Sequence, residues 1–432
     1  MAYCTKTDLR NQVIYSIYVR NYSEEGTFLE VEKDLDRIKG LGVDIIWFLP
    51  IYPIGQEKRK GILGSPYAIA DYRKVNPELG TMDDFKHLVE GIRTRGMRVM
   101  LDIVYNHTSP DSWLAKNHPE YFYKTPEGEM GNRVGDWGDI VDLDYGNKEL
   151  WDYQIDTLKM WAGIVDGFRC DVAPLVSLAF WLKAREEVAR VNPECIWLSE
   201  SVEPEFIVDM RAKGMTNLSD SEIFQAFDMC YDYDIFKYFR QYLNGEGTLG
   251  RYVEAVNMQE YIYPANYVKM RYLENHDQDR AKEIIPKESA LRNWTAFLYF
   301  QKGATLLYAG QENQNETRPD LFNKDVINLD GSRDISDMLR QPYQIKKLPV
   351  VAKSSYRLSA DEGLGAAIGE HKEIQGKGRL LGIFSFEGKC GQVEAGIQDG
   401  TYTNMVNGKE IRIEDGKIDL KMCPVIIKEN GE

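Results

Sequence analysis

Eight short runs of β-branched and aromatic residues recur along the first three quarters of this chain, with a helical pattern between them. The runs are Val13–Val19, Ile45–Pro50, Arg98–Val104, Gly167–Asp171, Ile196–Glu200, Ala226–Tyr231, Tyr267–Leu273 and Ala304–Ala309. Segments such as Phe28–Leu41, Met82–Arg95, Leu150–Ala162 and Phe180–Val191 place apolar residues three and four apart, as amphipathic helices do. Buried strands joined through helices form a parallel sheet covered on both faces. Eight such units predict an α/β fold, a (β/α)8 TIM barrel, whose active site would sit at the C-terminal mouth of the strands.

Two stretches depart from this rhythm. After the third strand, about forty residues rich in Pro, Gly, Trp and Asp precede the next helix, too long for an ordinary connection. From about Ser354, strand-like runs alternate with Gly-rich turns such as Asn407-Gly408, which predicts an antiparallel β domain. The expected organisation is a first barrel part at 1–107, a small inserted domain at 108–147, a second barrel part at 148–353 and a C-terminal β-sandwich at 354–432.

Four strand ends carry the chemistry: Asp102-Ile-Val-Tyr-Asn106-His107, Gly167-Phe-Arg169-Cys-Asp171, Trp197-Leu-Ser-Glu200 and Glu274-Asn-His276-Asp277. Alternation along a strand puts Arg169 and Asp171 on one face and Cys170 on the other, packing toward the helices. It likewise groups Asp102, Val104 and Asn106. A lone acid after a strand is usually a helix cap or a solvated loop residue. Three of them beside an arginine and two of the chain's five histidines is a different observation. A guanidinium two residues before a carboxylate favours its ionised form, as a nucleophile requires. Like charges from Asp171 and Asp277 are expected to keep Glu200 protonated.

These segments, in this order, resemble the shared regions of glycoside hydrolase family thirteen, the α-amylase family. Gly64-Ser-Pro-Tyr67-Ala-Ile-Ala-Asp71-Tyr72 and Val141-Asp-Leu-Asp144-Tyr resemble two further motifs of that family. The resemblance implies catalytic roles for Asp171 as nucleophile, Glu200 as general acid and base, and Asp277 as the third carboxylate. It implies substrate contacts from Tyr67, His107, His276, Arg169, Asp102 and Arg280, with Asp102 supporting Arg169 and Arg280 reaching a more distant sugar. Trp113, Trp137, Phe122 and Tyr123 are candidates for outer subsites or for the core of the insertion.

Many α-amylases hold a structural calcium between barrel and insertion, and the matching residues would be Asn106 and Asp144. Members of the family often carry Lys-His after the nucleophile strand, where this chain has Ala173-Pro174, and Arg20–Gly26 lacks an Asp-rich motif. No metal or other cofactor is therefore expected to be required. A metal-dependent barrel enzyme would need a His/Asp/Glu cluster of ligand spacing, and only His107 and His276 lie at the mouth.

The net charge of −15 argues against nucleic-acid partners and anionic membranes. The longest mainly apolar stretch, Ile45–Ile54, holds two prolines and falls short of the ~18 residues of a membrane span. The N-terminus shows no apolar leader and the six cysteines are scattered, so a cytoplasmic protein with reduced thiols is expected. The partner is then an oligosaccharide substrate, and the expected reaction is retaining hydrolysis of α-1,4 bonds in maltooligosaccharides. The short insertion favours cutting within chains. A transglucosidase, an α-1,6-glucosidase, a sucrose-type enzyme of the same family or a non-catalytic sugar-binding relative are the alternatives. Sequence leaves oligomeric state open.

Overall fold

The computed structural model describes residues 4–376 and 378–429. Its centre is a closed barrel of eight parallel strands: β1 (Val13–Ile17), β2 (Ile45–Phe48), β3 (Arg98–Ile103), β4 (Gly167–Cys170), β5 (Ile196–Ser199), β6 (Met229–Tyr231), β7 (Lys269–Arg271) and β8 (Ala304–Tyr308). Each strand pairs with the next, and β8 returns to β1 with Val13 opposite Thr305. The strands are shorter than the runs that announced them, and at β4 and β5 the acidic residue ending the run has already left the ladder. Asp171 and Glu200 accordingly fall one residue past β4 and β5.

Alternation sorts the side chains into two layers. Phe168 and Cys170 pack with Phe180 and Trp181 of the helix Leu178–Val188, whereas Trp47, Met100, Leu198 and Tyr231 fill the barrel interior. The parity ends with β3: Val104 joins the helix-side core and Asn106 turns toward a separate cavity, so neither shares a face with Asp102. Helices Met82–Thr94 and Lys148–Ala162 are capped by Thr81 and Asn147. The periodic stretch at Phe28–Leu41 is two helices, Phe28–Lys33 and Leu35–Gly40, broken at Asp34, whose carboxylate accepts from Tyr22 and Arg37.

The stretch after β3 pairs His107–Thr108 antiparallel with Val141–Asp142 and folds back over the mouth. Beyond the barrel, β9 (Ser354–Asp361), β10 (Ala366–Glu373), β11 (Arg379–Ser385) and β16 (Val425–Glu429) form one antiparallel sheet. Strands β12 (Gly391–Glu394), β15 (Lys417–Leu420), β14 (Glu410–Glu414) and β13 (Gly400–Thr403) form a second, in that spatial order. Leu381, Ile383 and Ile427 of the first meet Val393, Ile413 and Ile418 of the second in a common core, as in a sandwich. The first sheet is joined to the barrel through Trp294, whose indole stacks on Phe386 at 3.6 Å.

Among the described residues no helix is long and apolar enough to cross a membrane. All six cysteines are free; Cys170, Cys195 and Cys230 are buried, while Cys4, Cys390 and Cys423 are exposed.

Candidate active site

Strand ends β3, β4 and β5 bring three carboxyls onto one guanidinium. Arg169, fully buried, donates from Nη1 to Asp102 Oδ1 and to Asp171 Oδ1, both at 2.8 Å. Its Nη2 lies 2.9 Å from Glu200 Oε2 in an ion pair. The guanidinium is fixed by Nε donating to Tyr231 Oη at 3.1 Å and by the rings of Trp47, Tyr67 and Tyr231 around it. One positive charge therefore serves three acids, more negative charge than it can balance.

Protonation follows. Burial pushes Glu200 well above the carboxylate range; Arg169 opposes the shift, Asp171 and Asp277 add to it, and the Val172 N–H opposes it again. Burial also raises Asp171 to about 7 against the pull of Arg169, and Asp102 to about 7 likewise. Sequence reasoning assigned the Glu200 rise to like charges and expected Arg169 to keep Asp171 low. In the structure burial leads in both cases, because these acids are largely withdrawn from solvent around a single arginine that does not neutralise them all.

Asp171, Glu200 and Asp277 line one cleft of about 350 Å³, together with Tyr67 and His107. That volume is near the lower end of the roughly 300–1,000 Å³ of ligand pockets. Tyr67 donates to Asp102 Oδ2 at 3.2 Å, meets His276 Nε2 at 2.7 Å and stacks on the His276 ring. His276 is buried, and its Nε2 also lies 3.0 Å from Asp277 Oδ2, so it supports Tyr67 and Asp277 from behind. His107 accepts at Nδ1 from Asn106 Nδ2 (3.2 Å), which places its proton on Nε2. Burial lowers both imidazoles to about 4, so each is neutral at physiological pH.

Besides His276, three more residues expected at the substrate lie outside the cleft lining. Arg280 is fully buried, donating to Glu274 Oε1 at 2.6 Å and to the Ala309 carbonyl at 3.0 Å; it ties the loop after β7 to β8 and reaches no sugar. Asp102 and Arg169 are equally inaccessible and act only through Asp171, Glu200 and Tyr67. Of the aromatic candidates, Trp137 lines the cleft beside His107. Phe122 is core, Tyr123 lies under the Arg133 guanidinium, and Trp113 stacks on Tyr153.

The cleft also holds Ser65, from the Gly64–Tyr72 motif, and residues that no motif marked: Lys60, Asp139, Val172 and Phe322. Val172 had one signal, its place directly after Asp171 at the strand end, but nothing in the sequence announces its left-handed backbone at φ 33° and ψ 43°.

A second cavity, of about 340 Å³, separates the inserted segment from the loops after β4 and β5 and includes Asn106 and Asp144. Asp144 accepts from its own Gly146 N–H at 2.9 Å. Asp142, buried between them, accepts the Arg133 N–H at 2.8 Å and has the Arg133 guanidinium at 3.6 Å, so a cation already faces this carboxylate. Among the described residues no group of three or more His, Cys, Asp or Glu is arranged to hold a metal.

Residues 14–132 and 134–348 match the α-amylase catalytic-domain family, and 357–427 match a bacterial α-amylase C-terminal domain. A crystal structure of an α-amylase from Lactobacillus plantarum is 47% identical with a TM-score of 0.95, over 98% of this chain and 100% of that one. The maltogenic α-amylase AmyB from Thermotoga neapolitana is 33% identical with a TM-score of 0.87, again over 98% of this chain and 100% of that one. The α-amylase MalA of Haloarcula japonica is 28% identical over 78% of this chain and 52% of its own length. The chain thus spans about half the length of that curated relative. With one family model matching most of the barrel region and a second matching the C-terminal β domain, the chain belongs to the α-amylase family of glycoside hydrolases.

Proposed function

We propose that the protein is a retaining α-glucan hydrolase that cleaves α-1,4 bonds of maltooligosaccharides through a covalent glycosyl-enzyme. One observation carries the reading: Asp171 and Glu200 end adjacent strands, touch the same guanidinium and face the same cleft, with opposite demands on their protons. Retention needs a nucleophile and an acid about 5–5.5 Å apart.

In this scheme the Asp171 carboxylate attacks the anomeric carbon while Glu200 gives its proton to the departing glycosidic oxygen. The products are a glycosyl ester on Asp171 and a shortened sugar. Glu200, now ionised, takes a proton from water; the hydroxide attacks the anomeric carbon and frees Asp171. Asp277, partly exposed beside Asp171, accepts from the ring hydroxyls, and the Tyr67 ring offers an aromatic face to the C–H face of the sugar. Three exposed thiols without disulfides support a reducing, cytoplasmic setting.

Proton NMR of maltoheptaose digestion tests this. The α-anomer should form first, and Asp171→Asn should lose at least roughly 10³-fold in kcat with its melting temperature undiminished. First formation of the β-anomer, or full activity in Asp171→Asn, would sink the reading. Chromatography of the same digests reports sugars longer than the substrate, the mark of transfer to a sugar acceptor.

A further inference from the structure

The cleft is walled on one half of the barrel mouth only. Lys60, on the loop after β2, forms an ion pair with Asp139 of the inserted segment at 2.9 Å, and both line the cleft. The same loop is stitched to the loop after β8: Leu63 N–H donates to the Phe322 carbonyl and Ile62 N–H to Asn323 Oδ1, each at 2.9 Å. Phe322 lines the cleft, and Gly61, at φ 65°, is the residue that lets the loop pass: a Cβ there would stand 2.6 Å from Phe322 Cβ. Arg318, also after β8, donates to the Asp277 carbonyl. In barrel order β7, β8, β1, β2 and β3 are consecutive, so these bonds lace half the rim into one arc. The β4 and β5 side contributes to the lining only the strand-end residues Asp171, Val172 and Glu200.

The chemistry orients a sugar chain against that arc. The ring that is attacked lies on Asp171, between Tyr67, His107 and Asp277. The leaving group departs toward the acid, Glu200, on the unwalled side. The arc therefore stands where the chain would continue beyond the attacked sugar toward its non-reducing end. A wall there rejects substrates that must pass through it, which is discrimination by exclusion.

We propose that the Lys60–Asp139 bridge and Phe322 close the glycone end of the cleft, so that the enzyme works from the non-reducing ends of α-glucans instead of cutting within them. The inference rests on the functional reading above and replaces the expectation, from the short insertion alone, of an open cleft. Two maltoheptaose aryl glycosides test it, one free and one carrying an ethylidene cap on its non-reducing glucose, with initial cleavage followed by chromatography. Wild-type protein should cleave the capped chain at least about a hundredfold more slowly. Lys60→Ala and Phe322→Ala, both at partly exposed positions, should each raise the capped-to-free ratio roughly tenfold. Equal wild-type rates on both chains, or an unchanged ratio in both variants, would overturn the inference and leave the functional reading standing. Cleavage of neither chain would take down the functional reading first, and this inference with it.

Discussion

The backbone N–H of Val172 donates to Glu200 Oε2 at 2.8 Å, from a residue held at φ 33°. The left-handed turn lets the chain leave β4 at once for the single turn Ala173–Leu175, and it frees that N–H from the strand ladder. A left-handed residue costs roughly 1–2 kcal/mol, and a β-branched one is rarer still there. Strain of this kind persists where the surroundings over-determine it, often beside reacting groups.

Val172→Gly keeps the N–H and removes the strain, but it also loosens the turn. Part of the gain is offset by the flexibility of glycine in the unfolded chain, about 0.4–1 kcal/mol. Calorimetry should show a slightly higher melting temperature while kcat falls severalfold with KM little changed. A variant as active as the parent would remove Val172 from any role in placing Glu200.

The protonation pattern sets the pH dependence of kcat/KM. Asp171 must be ionised to attack, so activity declines as pH falls through about 7. Glu200 must be protonated, and it lies well above the carboxylate range, so activity declines again on the alkaline side. Glu200→Gln should lose activity by roughly 10²–10⁴-fold and abolish the alkaline limb. A profile in Glu200→Gln with both limbs intact would show that another group governs that side.

At the junction between insertion and barrel, Arg133 is the cation facing Asp142. Prolonged dialysis against EDTA should leave activity and melting temperature unchanged. Arg133→Ala should cost about 1–3 kcal/mol, since it strands a buried carboxylate with fewer partners. A chelator-sensitive activity restored by calcium would refute the assignment.

His371 accepts from Ser354 Oγ at Nδ1 (2.8 Å) and donates from Nε2 to the Phe300 carbonyl (2.7 Å), fully buried where the first sandwich sheet meets the barrel. Burial lowers it from 6.5 to about 3. A depressed value means the folded state prefers the neutral ring, so its contribution is complete above pH 6.5 and is lost progressively as pH falls toward 3. Between pH 6.5 and about 4 the loss is on the order of 3 kcal/mol. His371→Gln, which can still donate to Phe300, should melt with a shallower acid dependence than the parent; parallel curves would contradict this.

The barrel and its acids were legible because strand periodicity and strand-end polarity are local. Asp171 and Glu200 needed only a short run and its last residue to be placed, and Cys170 only its parity. Arg280 was misplaced because its spacing from Asp277 says nothing of Glu274, which captures it inside the fold. Val104 and Asn106 were grouped with Asp102 because a pattern does not show where a ladder stops. Lys60 and Asp139 are charged residues on separate loops, and nothing in either stretch marks the other as its partner. Val172 is unreadable for a related reason: a β-branched residue predicts extended backbone, and only the packed site forces it left-handed.

The closing seam of the barrel joins Val13 to Thr305, residues separated by most of the catalytic region. During synthesis β1 emerges long before its neighbour exists, leaving an unpaired, apolar edge for much of translation. Contacts of such sequence separation form slowly, and the exposed edge invites self-association until the last strand docks. Asp102 and Arg169, fully buried in the finished fold, are thus enclosed only when the ring shuts.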